Sequence, residues 1–177
     1  MQRFYLPFLL LMILVFQGVA LDFLPESLIA DKWIIVPHWI LIFLILISVF
    51  YDLESTYYSI LYAILFGLML DIVYTNVIGV YMFTYGIVTY AIHGIRKVLH
   101  TNYFVALLLG IVGVTAADIG IYIVYWFIGI HAMSWNLYLI DRLVPTIISN
   151  VIFLILLYPI VKPKLLKWSQ GKFDRKQ

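Results

Sequence analysis

The chain has 177 residues, 65% hydrophobic and 11% charged, with a net charge of +2 and no cysteine. Soluble domains are about 25% charged, and one of this length cannot hide so much apolar surface. The composition therefore excludes a water-soluble fold, and the missing cysteines exclude disulfides and thiolate metal sites.

A spanning helix needs about 20 mostly apolar residues, and six such segments follow in chain order: 4–24, 33–50, 57–73, 77–95, 103–129 and 143–161. The first is flanked by Phe4-Tyr5 as interfacial anchors. Its MQR start and its Gly18-Val19-Ala20 resemble a secretory signal with a cleavage site. The run exceeds a usual signal core, so it is expected to stay. The second opens with WIIVPHW, which carries Trp33, Pro37 and Trp39. Such aromatics anchor at the interface; the same segment also suits a ligand gate or a docking surface. Tyr74-Thr75-Asn76 separates the third segment from the fourth, and Thr75 or Asn76 can cap the helix that follows. The fifth is long enough to tilt or protrude. After the sixth, six of the eleven Lys/Arg crowd into KPKLLKWSQGKFDRK. This reads as a stop signal, or as a tail for anionic lipid or a partner. The expected organisation is one integral membrane domain over 1–161 and a basic cytoplasmic tail over 162–177.

Lys/Arg beside the spans set orientation. With the N-terminus inside, the inner segments hold Arg3, Arg96, Lys97 and the six tail residues, nine in total, against Lys32 and Arg142 outside. Both termini are expected in the cytoplasm. The longest outer loop, 130–142, is too short for a soluble domain.

Asp71 and Asp118 are the acids inside the spans, joined by Gln17, His93 and Asn150. A charge facing lipid costs about 2.5–3.5 kcal/mol, so the acids should face the bundle interior. At about 1.5 Å per residue, Gln17, Asp71 and Asp118 stand roughly 20–22 Å above the inner ends of their helices. Asn150 lies roughly 10 Å below the outer end of its own, in a core of about 30 Å. All four reach one level in the outer third of the bilayer. This predicts a polar layer in which carboxylates meet amides or hydroxyls, acting as a cross-brace or as a proton, ion or ligand site. Neutralising Asp71 and Asp118 should then be non-additive. Asp71, just before the Tyr74–Asn76 turn, can also accept amide hydrogens from the turn or the next helix. His93, near the inner end of its helix, is too far in depth to relay protons to either acid and reads as interfacial or packed.

Small residues form stripes: Gly79, Gly86 and His93 every seven positions, Gly110, Gly113, Ala117 and Gly120 at three, four and three, and Gly67 four before Asp71. Such stripes let backbones approach, within the chain or against a partner's helix. Gly113→Leu is expected to break association without unfolding the chain if the seam faces lipid. No HExxH, GxSxG or phosphate-loop motif is present. His, Asp and Glu are too scattered for a metal site, and no basic domain suits nucleic acid.

FGLMLDIVYTNVIGVYMF, residues 66–83, carries Gly67, Leu68, Asp71 and Gly79; RLVPTIISNVIFLILLYPIV, residues 142–161, carries Pro145, Asn150 and Pro159. In this order and spacing the sequence resembles the MreD family of bacterial rod-shape-determining membrane proteins. The resemblance implies a non-enzymatic scaffold of the side-wall elongation complex, without a cofactor. Its implied partners are MreC, through a membrane span and juxtamembrane segment, then MreB, the peptidoglycan synthases and the lipid bilayer. The implied fold is a six-transmembrane-helix, all-α bundle, similar to substrate-binding subunits of energy-coupling-factor vitamin transporters. That similarity carries the alternative, a vitamin-binding uptake subunit. Its pocket would lie under loops 25–32 and 130–142, with Glu26, Asp31, Lys32, His131, Trp135, Asn136 and Asp141. An ion transporter built on Asp71 and Asp118 ranks third.

Overall fold

The computed structural model describes residues 4–20, 33–130 and 133–173, and within them the protein is all-helical. Among the described residues there are six main helices: α1 (Tyr5–Val19), α2 (Trp39–Phe50), α3 (Tyr58–Tyr74), α4 (Val80–Ile95), α5 (Tyr103–Phe127) and α6 (Val144–Phe173). One α turn (Trp135–Leu137) and one π-helical turn (Tyr138–Leu143) run directly into α6.

WILIFLILISVF, the sequence of α2, is apolar on every side, and a helix of that kind belongs at a centre. Every α2 residue from Ile40 to Phe50 is buried, and α2 packs against each of the other five helices. The neighbouring helices expose apolar side chains outward, including Phe8, Ile72, Phe83, Phe104 and Leu156. Water would oppose such a surface; lipid accepts it. By length and composition two helices can cross a membrane, Tyr103–Phe127 and Trp135–Gln170. The remaining four have 12 to 17 residues.

Two boundaries differ from the sequence expectation. The second segment was expected to be helical from 33, but residues 33–38 are non-helical and the helix starts at Trp39. Pro37 is the cause, because its ring disfavours α conformation at Val36. The last helix continues past 161 to Phe173, with Pro159 and Pro163 inside it. Tertiary contacts hold that extension. Tyr158, Val161, Leu165 and Ser169 bury one face, Ser169 Oγ donates to the Tyr51 carbonyl at 3.0 Å, and Trp168 stacks on Tyr5 at 5.5 Å. Thirty residues make α6 roughly 45 Å long, well beyond a hydrocarbon core of about 30 Å.

Candidate functional site

Asp71 ends up where its local sequence points. Its carboxylate accepts from the amides of Gly79 (3.0 Å), Tyr81 (2.9 Å) and Met82 (3.0 Å). These are orphan donors of the first turn of α4, which no side chain at the N-cap position satisfies. Two glycines permit the arrangement. Gly79 has φ of 105°, a left-handed conformation that favours glycine. A Cβ at Gly67 would stand 2.7 Å from the Met82 Cα, so the α3–α4 crossing requires a bare backbone there. Thr75 Oγ1 closes the turn by donating to the carbonyls of Asp71 and Val77.

A second construction holds the non-helical segment. In lipid, every backbone polar group needs a partner within the protein. Residues 34, 36 and 38 present theirs alternately, as an extended chain must, and Ile40 adds an orphan amide of the first turn of α2. The Ile34 amide donates to the Asp141 carbonyl at 2.7 Å. The Val36 amide donates to Thr146 Oγ1 at 3.0 Å, and its carbonyl accepts from Asn150 Nδ2 at 2.8 Å. The His38 amide donates to Asn150 Oδ1 at 2.7 Å, and the Ile40 amide to Gln17 Oε1 at 3.1 Å. Thr146 and Asn150 are four apart, so they stack on one face of α6 and read the extended segment like an adjacent strand.

The third construction centres on Asp118, which is fully buried. Tyr138 Oη donates to Oδ2 at 2.7 Å, and Arg142 Nη2 donates to Oδ1 at 3.2 Å. His38 Nε2 lies 3.3 Å from Oδ1, and its Nδ1 lies 2.8 Å from Tyr85 Oη. With a carboxylate beside Nε2, the tautomer that carries its hydrogen there donates to Asp118 and accepts from Tyr85 at Nδ1. The π-helical turn aims both Tyr138 and Arg142 inward; such turns are frequent at functional sites. Arg142, counted in the sequence as an outer flanking charge, is instead buried at 8% exposure and neutralises Asp118.

At the far end of α2, Asp52 caps α3. It accepts from the Tyr58 amide (3.2 Å), the Ser59 amide (2.9 Å) and Ser59 Oγ (2.6 Å). Arg96 clamps the same loop, donating to the carbonyls of Asp52 and Leu53 at 2.8 Å each. Burial pushes the Asp52 carboxyl above its ordinary 3.8, opposed by the Ser59 hydrogen bonds and the Arg96 charge. His93 is buried beside this loop, its Nδ1 3.9 Å from Asp52 Oδ2.

The expected polar residues thus divide. Gln17, Asn150 and Asp118 converge on residues 38–40, whereas Asp71 serves the α3–α4 turn and shares no hydrogen-bond partner with Asp118. Apart from Gly79, where a Cβ would meet open space, the glycine stripes meet the chain's own helices. A Cβ at Gly113 would lie 2.6 Å from Ile45 Cδ1, one at Gly110 would meet Leu154, and one at Gly120 would meet Thr84. Ala117 is fully buried, and Gly86 faces Ile64. Gly113→Leu would therefore disturb the fold itself, which corrects the expectation that it tests a partner seam. Sequence reasoning passed over His38, Arg142, Tyr85, Tyr138, Thr146 and Asp52. The available signal was Pro37, which ends any helix before it and leaves neighbouring amides needing side-chain partners. Arg3, Glu26, Asp31, Lys32 and His131 lie outside the described residues.

On the outer side of this framework runs an apolar groove of about 550 Å³. Trp33 and Ile35 form one wall; Ile140, Val144, Ile148 and Ile152, each four apart, form the other, with Pro145 and Ser149 between. A smaller, aromatic cavity of about 360 Å³ is lined by Tyr122, Trp126, Met133 and Trp135.

A profile of rod shape-determining protein MreD matches residues 2–168. The chain belongs to the MreD family. It is 29% identical over 151 residues to the rod shape-determining protein MreD of Bacillus subtilis, covering 85% of this chain and 86% of that one. The cell shape-determining protein MreD of Streptococcus pneumoniae is 26% identical over 113 residues, covering 63% and 69%. No solved structure matches the chain significantly. The Asp71 turn, the Thr146–Asn150 ladder and the Asp118 cluster all fall within the MreD match. MreD is a shape-determining membrane protein family, and this member places Gln17, Asp52, Asp71, Thr146 and Asn150 on its own backbone.

Proposed function

We propose that the protein is a multi-pass membrane adaptor of the wall-elongation machinery that docks the membrane span of MreC, with both termini in the cytoplasm. The carrying observation is the use of the buried polar groups. Asp71, Gln17, Thr146, Asn150 and Asp52 are all engaged with backbone of the same chain. That is the pattern of a rigid shape. Among the described residues no nucleophile stands beside a base in an accessible cleft, and the reading is of a non-enzymatic protein.

In this reading all six helices cross the bilayer. α2, at roughly 18 Å of helix, completes its passage with the extended residues 33–38, whose backbone the ladder on α6 satisfies. The docking surface is the groove between that segment and α6. Helix association in lipid rests on packing contacts, and a concave wall offers a partner helix more of them than a convex bundle does. The α6 extension brings Lys162, Lys164 and Lys167 beyond the core, where MreB, the synthases or anionic headgroups meet the complex.

The test is capture of the tagged chain from native membranes in mild detergent, read by mass spectrometry. MreC with wall synthases is the expected yield. Ile148→Trp should block the groove and lose MreC while the chain still accumulates. A second reading, a vitamin-binding subunit, is favoured by the aromatic cavity at Tyr122 and Trp135. Recovery of paired ATPases with a coupling membrane subunit would establish it instead.

A further inference from the structure

α4 carries Tyr81, Tyr85, Thr89 and His93 at strict intervals of four. Residues so spaced stack on one helix face, and this face turns inward: Tyr85 and Thr89 are 0% exposed and His93 2%. On α2, Ser48 precedes Asp52 by four and is 0% exposed. The two helices run in the same direction. His38 before α2 meets Tyr85 early in α4, and Asp52 after α2 approaches His93 late in α4. Ser48 and Thr89 therefore each lie one turn from the Asp52–His93 pair. Polar side chains thus meet at both ends of the α2–α4 pair, and Ser48 on α2 and Thr89 on α4 are the buried hydroxyls that lie between those ends in the sequence.

Several of these groups lack partners. Ser48 Oγ, Thr89 Oγ1 and both ring nitrogens of His93 are buried and make no hydrogen bond. Serine and threonine inside helices commonly bond back to a carbonyl one turn earlier; these two do not. Buried polar atoms in native proteins are satisfied by protein or by ordered water, and buried waters occupy such positions. One helical turn rises about 5.4 Å, the span of two hydrogen bonds through one water. At the other end a cavity of about 160 Å³, lined by Gln17, Pro37, Thr75 and Tyr81, has room for several waters. Ring distances of 5.5 Å from Tyr81 to Tyr85 and 5.9 Å from Tyr85 to His38 join that cavity to the Asp118 cluster.

We propose that these groups form a proton-transfer path, in which waters held by Ser48, Thr89 and His93 connect the Asp52–His93 pair to the His38–Asp118 pair. Each step balances. The Tyr85 hydroxyl proton moves to His38 Nδ1 while the His38 Nε2 proton moves to Asp118, and a water on the Thr89 side returns a proton to Tyr85. At the other end one ring nitrogen of His93 returns a proton to that water as the other takes one from Asp52, so Asp52 loses the one proton that Asp118 gains. His38 is faced by Asp118 from α5 and by Tyr81 and Tyr85 from α4, with Arg142 beyond Asp118. His93 is faced by Asp52, the Tyr57 ring, Arg96, Lys97 and the Glu54 backbone. The inference goes beyond the docking proposal and shares with it only the membrane-embedded bundle.

The test uses the purified full chain in liposomes that trap a pH-sensitive dye, with a potassium diffusion potential set by valinomycin. Proton flux is expected several-fold above protein-free liposomes. Tyr85→Phe and Thr89→Val should bring it down to the protein-free level, while Thr89→Ser keeps it. Thr89→Val preserves shape and deletes an unpaired hydroxyl, so the fold should persist, as equal incorporation and an unchanged thermal unfolding midpoint in detergent will show. Wild-type flux at the protein-free level overturns the proposal, and so does flux that Tyr85→Phe and Thr89→Val leave unchanged. Either result leaves the docking reading standing.

Discussion

Asp71 stands among leucine, isoleucine and valine because three amides at the start of α4 have no other partner. Asp71→Ala removes the cap and leaves buried donors behind. It should lower unfolding free energy in detergent by about 2 kcal/mol or more, the upper end for a lost cap. Asp118 is coupled to different residues. Since Asp71 and Asp118 share no hydrogen-bond partner, the structure replaces the expectation of non-additivity between them. Asp71→Asn and Asp118→Asn should add to within about 0.5 kcal/mol, whereas His38→Ala and Asp118→Asn, which touch, should couple by roughly 0.5–3 kcal/mol. Denaturant titration of the three single variants and the two doubles decides both statements. At this scale the sequence shows which polar residues sit in apolar runs, because an isolated acid in a span is conspicuous. It does not show their partners. His38 and Arg142 lie near the ends of apolar runs, where a charge is ordinary, and only the fold turns them inward.

The helices themselves divide the same way. Among the described residues their approximate positions follow from apolar length, but their ends depend on tertiary contacts. α6 passes two prolines because Ser169 and Trp168 are docked, and α2 starts late because Pro37 disfavours helix at Val36 while Thr146 and Asn150 satisfy the extended chain. Asn150→Leu should therefore release residues 33–38. A cysteine placed at Ile35 would then react several-fold faster with a water-soluble maleimide; an unchanged rate would mean that the ladder does not hold the segment. The glycines sort by what a side chain would meet. Gly67→Ala must move the Met82 backbone, while Gly79→Ala meets open space and carries only left-handed strain of roughly 1–2 kcal/mol. Gly67→Ala should be the more destabilising of the two in the same titration.

The loop that starts α3 carries a pH signature. Burial holds the Asp52 carboxyl above 3.8, so the folded chain keeps this proton to higher pH than the unfolded chain does. Its contribution to stability falls as pH rises through the window that opens at 3.8. Ser59 Oγ favours the ionised form. Ser59→Ala should thus lower stability by about 1.5–3 kcal/mol at neutral pH, with the loss shrinking once Asp52 is protonated. Thermal unfolding in detergent across this range measures it.

For the whole molecule, composition alone indicates a lipid-embedded helical chain, and two motif stretches indicate the MreD family. What no stretch of sequence shows is the outer surface, because in lipid nearly every outward residue is apolar and only shape distinguishes one face from another. The groove between residues 33–35 and α6 is that distinguishing shape, and its use by a partner is the central claim. The most direct measurement places a photo-crosslinking amino acid at Ile148 in the groove and, separately, at Ile72 on the exposed face of α3, and identifies the adducts formed in living cells. Crosslinks to MreC from position 148 and none from 72 are the predicted result. MreC adducts at 72 with none at 148 would contradict it.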